Sequence, residues 1–454
     1  MKMVKGQTFI KHKTIASIVT PLGEGGIGKI VVSGPEALNV VNTVFKGKGI
    51  DDLCDAGSHK LYYGHIHDRG EKIDEVILNI IRQGDSFTGE DVVEVNCHGG
   101  IRVVMRIYEC LQAAGAEGVE WDSLLSQSLE NSKMDFIQKE ALQELVQART
   151  KLGVKVLLDQ SAGALSVALK QGLEIIERIK HSFSLRGDGE NSQDESVSSL
   201  ANLIGGLLKT APFGVALTTP QVLVILGKPN VGKSTLINAI LGEERMLVHH
   251  EPGTTRDYVS EFISIEGIPF ELVDTAGMRQ TSDMLEVMSM EMTQEQLLRA
   301  DKVITVFDNS RNFDQEDEGI LSVLSFWQTA KSSGELQQKA SARAIIPVVN
   351  KCDLPAKLDK LRIEAALQQP VCCISALNKE GFKDLNRRLV QKFNMAYKPM
   401  RPIVFTKRQY RLLSKADALV KQEGDCLTAK NVSDRTFQVL DELKNIFKTC
   451  LEGH

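Results

Sequence analysis

The stretch GKPNVGKS at residues 227–234 decides the central fold of this chain. It fits the pattern GxxxxGK[ST], with an apolar run before it at 221–226 and a segment of helical character after it. In such a turn, glycines let backbone N–H groups surround phosphate oxygens, while a lysine and a hydroxyl complete the site. We therefore predict a phosphate-binding loop that contacts its ligand through Asn230, Val231, Gly232, Lys233, Ser234 and Thr235.

The region around this loop alternates short apolar runs with helical segments. Strands are predicted at 221–226, 261–265, 269–273, 303–308, 344–349 and 370–374. Regular alternation of strand and helix is typical of a mostly parallel sheet covered by helices on both faces. Residues 216–396 are accordingly predicted to form a doubly wound α/β domain of the Ras-like P-loop class.

Three further motifs follow predicted strands and identify the nucleotide. Asp274-Thr275-Ala276-Gly277 follows 269–273, and its aspartate is placed to hold Mg²⁺ through water beside the γ-phosphate. Asn350-Lys351-Cys352-Asp353 ends in a carboxylate that accepts hydrogen bonds from guanine N1–H and the 2-amino group, which adenine lacks. Ser375-Ala376-Leu377 supplies a backbone amide to guanine O6. The motifs predict a GTPase, and they exclude a Rossmann oxidoreductase.

The residues predicted to act in hydrolysis lie between and beyond these motifs. Thr255, in the segment Gly253-Thr254-Thr255, is the predicted second Mg²⁺ ligand beside Ser234. Met278 follows the aspartate motif, and methionine cannot orient an attacking water. Asn230 is therefore predicted to coordinate a monovalent cation. Glu286 is predicted to act through a water, the alternative being an exposed helix charge.

The regions on either side predict further domains. Residues 1–118 have the pattern of an α+β domain, whereas 119–215 and 397–454 are helical and are expected to pack together around an inserted GTPase domain. The polar stretch 184–199 is predicted to be a loop.

Composition agrees with an ordinary globular protein. The chain has 454 residues, 42% of them hydrophobic and 25% charged, with a net charge of −5. Its eight cysteines include no CxxC pair, which argues against a zinc site and suggests reduced thiols. The apolar runs that we single out are shorter than the roughly 20 residues of a membrane span. We expect a cytoplasmic location without membrane or DNA association.

Motifs along nearly the whole chain resemble one family, the tRNA-modification GTPases called MnmE or TrmE. The resemblance rests on TIASIVTP at 14–21, DSFTGED at 85–91, CHGG at 97–100, and the three segments GKPNVGKSTL, PGTTRD and DTAGMR. It implies a homodimer that works with the FAD-binding flavoprotein MnmG and a tetrahydrofolate derivative. Together they install an aminomethyl-type group, such as carboxymethylaminomethyl, at C5 of the wobble uridine of tRNA.

The resemblance also implies roles for particular residues. A K⁺ site would be formed by Asn230, His249, Glu251 and Thr254, and Glu286 would be the catalytic glutamate, with Asn230 and Lys233 beside it. His250 and Pro252 would contact the nucleotide within the first switch. Glu94 and Lys133 are the remaining candidates for the folate site.

Two departures from the family pattern concern the modification chemistry. Val31 stands where the family has a folate-site arginine, and Lys29 lies two residues away, roughly 7 Å along a strand. The family ends Cys-Ile-Gly-Lys, whereas this chain ends Cys450-Leu451-Glu452-Gly453-His454. The alternative function is therefore a regulatory GTPase that binds RNA or a ribosomal particle without modifying tRNA.

Overall fold

A computed structural model describes residues 13–184, 192–244, 260–273, 297, 299–329, 344–393, 395–423 and 434–453. The chain divides into two compact units. The first comprises Met1–Gln143 and Leu451–Gly453, and the second comprises Glu144–Cys450. The domain boundaries predicted at residues 118, 215 and 396 stay predictions.

The first unit is built on a seven-stranded sheet with the order β3-β4-β5-β6-β2-β1-β7. Neighbouring strands are antiparallel except β1 and β7. The strands are β1 Ile15–Ile18, β2 Ile27–Ser33, β3 Phe45–Gly47, β4 Lys60–Asp68, β5 Glu71–Ile81, β6 Val92–His98 and β7 Glu117–Gly118. The helices are α1 Ala37–Val44, α2 Ile101–Ala113, α3 Asp122–Glu130 and α4 Phe136–Val146, whose last residues belong to the second unit.

Alternation along β2 gives this sheet two different faces. Ile30 and Val32 join the main apolar core, to which α1 and α2 contribute Val41 and Ile107. Val31 points the other way, into a small cluster with Val92 and Leu124 of α3. The polar side chains of the first unit that matter below lie on this second face.

The second unit contains a six-stranded sheet with the order β13-β12-β11-β8-β10-β9. Only β9 runs antiparallel to its neighbour. Its strands are β8 Gln221–Gly227, β9 Ser260–Ile265, β10 Ile268–Val273, β11 Lys302–Asp308, β12 Ala344–Asn350 and β13 Cys372–Cys373. The helices α9 Lys233–Glu244, α10 Gln315–Thr329, α11 Lys360–Leu367 and α12 Phe382–Val390 alternate with them. Separate apolar cores cover the two faces, which confirms the mostly parallel α/β fold.

Among the described residues, six helices outside this sheet lie in the second unit, and the last two residues of the sixth belong to the first unit. They are α5 Lys151–Ser161, α6 Ala164–Ser184, α7 Ser192–Leu208, α8 Ala211–Thr218, α13 Lys407–Gln422 and α14 Asp434–Glu452. Helices α6 and α14 are joined by edge-to-face rings of Phe183 and Phe437 and by an ion pair between Lys180 and Asp441. Helices from both sides of the GTPase segment are therefore in contact.

The prediction of a loop over 184–199 is wrong for its second half, because α7 begins at Ser192. Val197, Leu200, Ile204 and Leu207 are buried with helical spacing, and only the first of them falls inside the polar stretch. The helical period of apolar residues could therefore not be recognised within the polar stretch. Residues 185–191 lie outside the described residues.

One described stretch, Glu195–Thr218, is long and apolar enough to cross a membrane. Half of its most apolar window is buried inside the protein, as in a core helix, and composition alone is weak support for a span.

Candidate nucleotide-binding site

The phosphate-binding loop connects β8 to α9, as the sequence predicts. Its turn uses left-handed backbone conformations, with φ of +63° at Asn230 and +97° at Gly232. The Lys233 Nζ atom donates to the carbonyl oxygens of Gly227 at 2.7 Å and Lys228 at 2.8 Å. Burial lowers the pKa of Lys233. An anionic phosphate beside this amine would favour its charged form.

Asn350, the first residue of the NKCD motif, joins two loops through its side chain. Its Nδ2 donates to the Val231 carbonyl at 3.0 Å, and its Oδ1 accepts from the Ala376 N–H at 2.9 Å. Asn350 is 2% exposed, so both contacts are shielded from water. The phosphate-binding loop after β8 and the loop of Ala376 after β13, which is predicted to contact guanine, are therefore held in one fixed relation by Asn350 at the end of β12.

Lys351 makes a second connection to the phosphate-binding loop. Its backbone has a positive φ of +62°, and its Nζ donates to the Asn230 carbonyl at 2.9 Å and to Asp308 Oδ2 at 2.6 Å. Burial acts to raise the pKa of Asp308, but hydrogen bonds from Lys351 and Ser310 hold it below its usual range. Asp308 thus remains a carboxylate that fixes Lys351.

The surroundings of this cluster are open to a ligand. Ser234, Thr235 and Asp353 are exposed, and Leu377 is 77% exposed, whereas Ser375 and Ala376 are buried. The structure thus brings together the predicted residues of three motifs. Among them it leaves exposed Ser234, predicted to bind Mg²⁺, and Asp353 and Leu377, predicted to contact the base. Their individual roles stay predictions.

Sequence reasoning missed a group of charges beneath the loop. Lys228, only 8% exposed, places its Nζ 2.6 Å from Asp314 Oδ2 and 2.8 Å from Asp317 Oδ2. Burial acts to lower the pKa of Lys228, but hydrogen bonds to the two carboxylates raise it overall. Asp314 also accepts from the N–H groups of Glu316 and Asp317 at the start of α10. The acidic first turn of this helix, with Asp314 just before it, was the available signal.

The remaining predicted site residues lie outside the described residues. They are His249, His250, Glu251, Pro252, Gly253, Thr254, Thr255, Asp274, Thr275, Ala276, Gly277 and Glu286. The first switch, the aspartate motif and the candidate catalytic glutamate therefore stay predictions from sequence.

The first unit holds the two predicted folate-site residues in separate contacts. Glu94 on β6 accepts from Lys29 Nζ at 2.6 Å and from Asn79 Nδ2 at 3.0 Å. Lys133 is exposed and lies 3.5 Å from the Gly84 carbonyl. Val31, not Lys29, lies opposite Glu94 in the strand register. The Lys29 side chain nevertheless reaches the Glu94 carboxylate, although the displacement of two residues from Lys29 to Val31 separates their backbones by roughly 7 Å along the strand.

Cys450, the cysteine shared with the family's C-terminal pattern, is fully buried in α14. The Arg408 guanidinium donates to the Thr449 and Cys450 carbonyls, both at 3.0 Å. A thiol in this position is shielded from reagents in solution.

Comparison with known proteins agrees with this architecture. The family described as "GTP-binding protein TrmE N-terminus" matches residues 14–121, and that described as "50S ribosome-binding GTPase" matches residues 222–351. The "tRNA modification GTPase MnmE" of Bacillus velezensis is 34% identical over 393 residues, covering 84% of this chain and 82% of the relative. That of Alkaliphilus metalliredigens is 36% identical, covering 83% and 81%. That of Bacillus subtilis is 33% identical, covering 84% and 82%.

Among solved structures, the G domain of the T. maritima FeoB iron transporter covers 39% of this chain and 100% of its own. It is 22% identical, with a TM-score of 0.27.

Proposed function

The chain belongs to the family of tRNA modification GTPases named MnmE, and from that premise we propose that it couples GTP hydrolysis to modification of the wobble uridine of tRNA. The modified position is C5, the added group is of the aminomethyl or carboxymethylaminomethyl type, and the partner is an MnmG-like protein that carries FAD. The proposed location is the cytoplasm.

The observation that supports the GTPase part of this proposal is the double contact of Asn350. By binding Val231 and Ala376 together, it holds the loops predicted to bind phosphate and guanine on one rigid frame. A nucleotide that carries both phosphates and a guanine base can then bind without a rearrangement of either loop, which lowers the entropic cost of binding.

Lys233 is proposed to exchange its two backbone carbonyls for phosphate oxygens when GTP binds. Its ammonium would then lie at the β- and γ-phosphates, where negative charge develops during hydrolysis. Ser234 is exposed at the start of α9, which fits a hydroxyl ligand of Mg²⁺, with Thr255 and Asp274 completing the site. Bound Mg²⁺ would neutralise charge on the β- and γ-phosphate oxygens.

Asn230 is proposed to hold K⁺ together with His249, Glu251 and Thr254. Its side chain is exposed while its carbonyl is engaged by Lys351, so the amide oxygen is available to a cation. Glu286 would position the attacking water through a second water. Hydrolysis is accordingly expected to be faster in KCl than in NaCl, and Asn230→Ala is expected to remove the difference. Equal rates for the wild-type chain would refute the K⁺ assignment.

The first unit is proposed to bind a tetrahydrofolate derivative and to form the homodimer. Glu94 and Lys133 offer one anionic and one cationic group for a pterin with a glutamate tail. Leu61, Tyr63 and Ile77 are 70%, 42% and 47% exposed on β4 and β5, and Tyr63 lies opposite Ile77. Apolar residues exposed together on one hairpin are suited to burial against a second subunit.

The decisive experiment expresses the chain in a bacterium that lacks its own MnmE, followed by mass spectrometry of tRNA nucleosides. Restored C5-modified uridine would support the proposal. A parallel strain carrying Lys233→Ala should contain none, which ties modification to GTP.

If modification is absent, the assay is repeated with the flavoprotein from the same source. Modification restored only then would show that the two proteins must match. Continued absence, with the chain folded and hydrolysing GTP, would refute the modification activity. The result would then favour a regulatory GTPase, the reading suggested by the ribosome-binding description of the family that matches residues 222–351.

A further inference from the structure

The segment from Lys398 to Lys421 differs in charge from the rest of the chain. It contains seven lysine and arginine residues and one aspartate, a net charge of +6, although the whole chain carries −5. Helix α13 occupies most of this segment and carries most of these charges. A basic stretch in an acidic protein marks one surface for an anionic partner.

The charges of α13 are arranged on one face. Gln409, Leu413, Ala416 and Val420 are buried and define the inner face. Lys407, Arg411 and Lys415 follow one another at four-residue spacing on the opposite side, and all three are exposed. At a rise of 1.5 Å per residue, they form a row with charges about 6 Å apart along the helix axis. We call Lys407, Arg411 and Lys415 the basic row.

Most other charges of this helix already have partners. Lys421 pairs with Asp417 at 2.7 Å, and the Arg408 guanidinium binds backbone carbonyls of α14. Among the described residues, no carboxylate lies within ion-pair distance of the basic row. Side chains that repel one another on one face, without neutralising neighbours, gain most from an external polyanion.

The same helix argues against a membrane as that polyanion. A helix that lies on a lipid surface needs an exposed apolar face beside its charges. Here the apolar side chains of the inner face are buried inside the second unit. Beside the basic row, the large exposed side chain is Tyr410, 45% exposed, whose ring is suited to stacking on an unpaired base.

We propose that the basic row of α13, with Tyr410 at its edge, is a surface on which this protein binds the phosphate backbone of tRNA. The assignment rests on the proposed tRNA-modifying function and adds to it the part of this chain that contacts the RNA. Lysine and arginine bind phosphates irrespective of sequence, so this surface supplies affinity and orientation, while base identity is read elsewhere.

The test measures binding of an unmodified tRNA transcript by the full chain at a series of KCl concentrations. The variant replaces Lys407, Arg411 and Lys415 with glutamine. A matched variant removes three other exposed lysines of the same unit, Lys155, Lys209 and Lys448. The basic-row variant should bind tRNA about tenfold more weakly, and its slope of log K against log salt should fall by about 2, since each phosphate contact contributes roughly 0.7–0.9. The matched variant should retain most of the affinity.

GTP hydrolysis without RNA should be the same in all three proteins, which shows that they fold. Equal tRNA affinity of the two variants would overturn the proposal, because net charge alone would then explain binding. Selective loss of binding to phosphatidylserine vesicles, with tRNA binding intact, would also overturn it. Modification of tRNA by the wild-type chain but not by the basic-row variant would support both the tRNA-binding surface and the proposed function. No modification by the wild-type chain would count against the proposed function itself.

Discussion

The phosphate-binding loop of the second unit and the polar sheet face of the first unit are built in different ways. The loop is one contiguous stretch whose backbone forms the site, and left-handed φ at Asn230 and Gly232 sets its shape. The sheet face is assembled from side chains of separate strands, with Lys29 of β2, Asn79 of β5 and Glu94 of β6 in one hydrogen-bonded set. A backbone site tolerates little change, whereas a side-chain site can recruit a residue from a neighbouring position.

The largest expected effect on nucleotide binding comes from Gly232→Ala. A Cβ at this position would lie 2.3 Å from Asn350 Nδ2 and would impose a side chain on a φ of +97°. Strain of about 1–3 kcal/mol, together with the displaced Asn350, should weaken GDP binding by at least tenfold. Isothermal titration calorimetry with GDP measures this affinity. Gly205→Ala, in α7 with open space around it, should leave GDP binding unchanged. Unchanged affinity in Gly232→Ala would contradict the account of a backbone-built site.

Lys228→Met is expected to change folding stability rather than nucleotide binding, and it tests whether the phosphate-binding loop also depends on the distant side chain of Asp317. The change leaves Asp317, 4% exposed in its side chain, buried without its ammonium partner. Removing one member of a buried pair costs roughly 3 kcal/mol of the free energy of unfolding, and urea denaturation measures it. The double variant with Asp317→Asn should recover part of this loss. Lys421→Met breaks an exposed pair and should cost less than about 1 kcal/mol.

In the first unit, Lys29→Met tests directly whether Lys29 performs the role of the family's folate-site arginine. If Lys29 has taken over from the family's arginine, its loss should weaken binding of a tetrahydrofolate derivative by about tenfold, as expected for one charged hydrogen bond. Adding Val31→Arg should restore binding, because residue 31 lies opposite Glu94. Fluorescence titration measures both. Lys13→Met, which breaks an exposed pair with Glu117, is the control. Failure of the double variant to recover would argue that Lys29 and the arginine are not equivalent.

The smallest effect concerns His98, at the end of β6. Its ring Nδ1 lies 2.7 Å from Asp74 Oδ1, and this hydrogen bond raises the pKa of His98. The resulting stabilisation is present below the unfolded pKa near 6.5 and is lost as pH rises through the higher folded value. Asp74→Asn should lower the pKa of His98, which titration of its imidazole signals by NMR reports. A pKa that does not move would remove Asp74 as the cause.

The same contrast separates what could be predicted from what could not. The phosphate-binding loop, the guanine motifs and five of the six strands around them could be located closely from sequence, since local backbone geometry and hydrophobic period determine them. The predicted strand 370–374 is only Cys372–Cys373 in the structure, because its pairing with β12 covers two residues. Only the first half of helix α7 was missed, because its polar first turns carry almost no apolar period.

The sequence by itself determined the class of protein, the nucleotide and the order of its elements, because contiguous motifs and periodic patterns carry that information. Tertiary structure decided which charges meet. Lys228 reaches Asp314 and Asp317 from 86 and 89 residues away, and Lys29 reaches Glu94 from 65 residues away. Contacts between side chains depend on strand order, register and side-chain length together, and no local stretch of sequence contains all three.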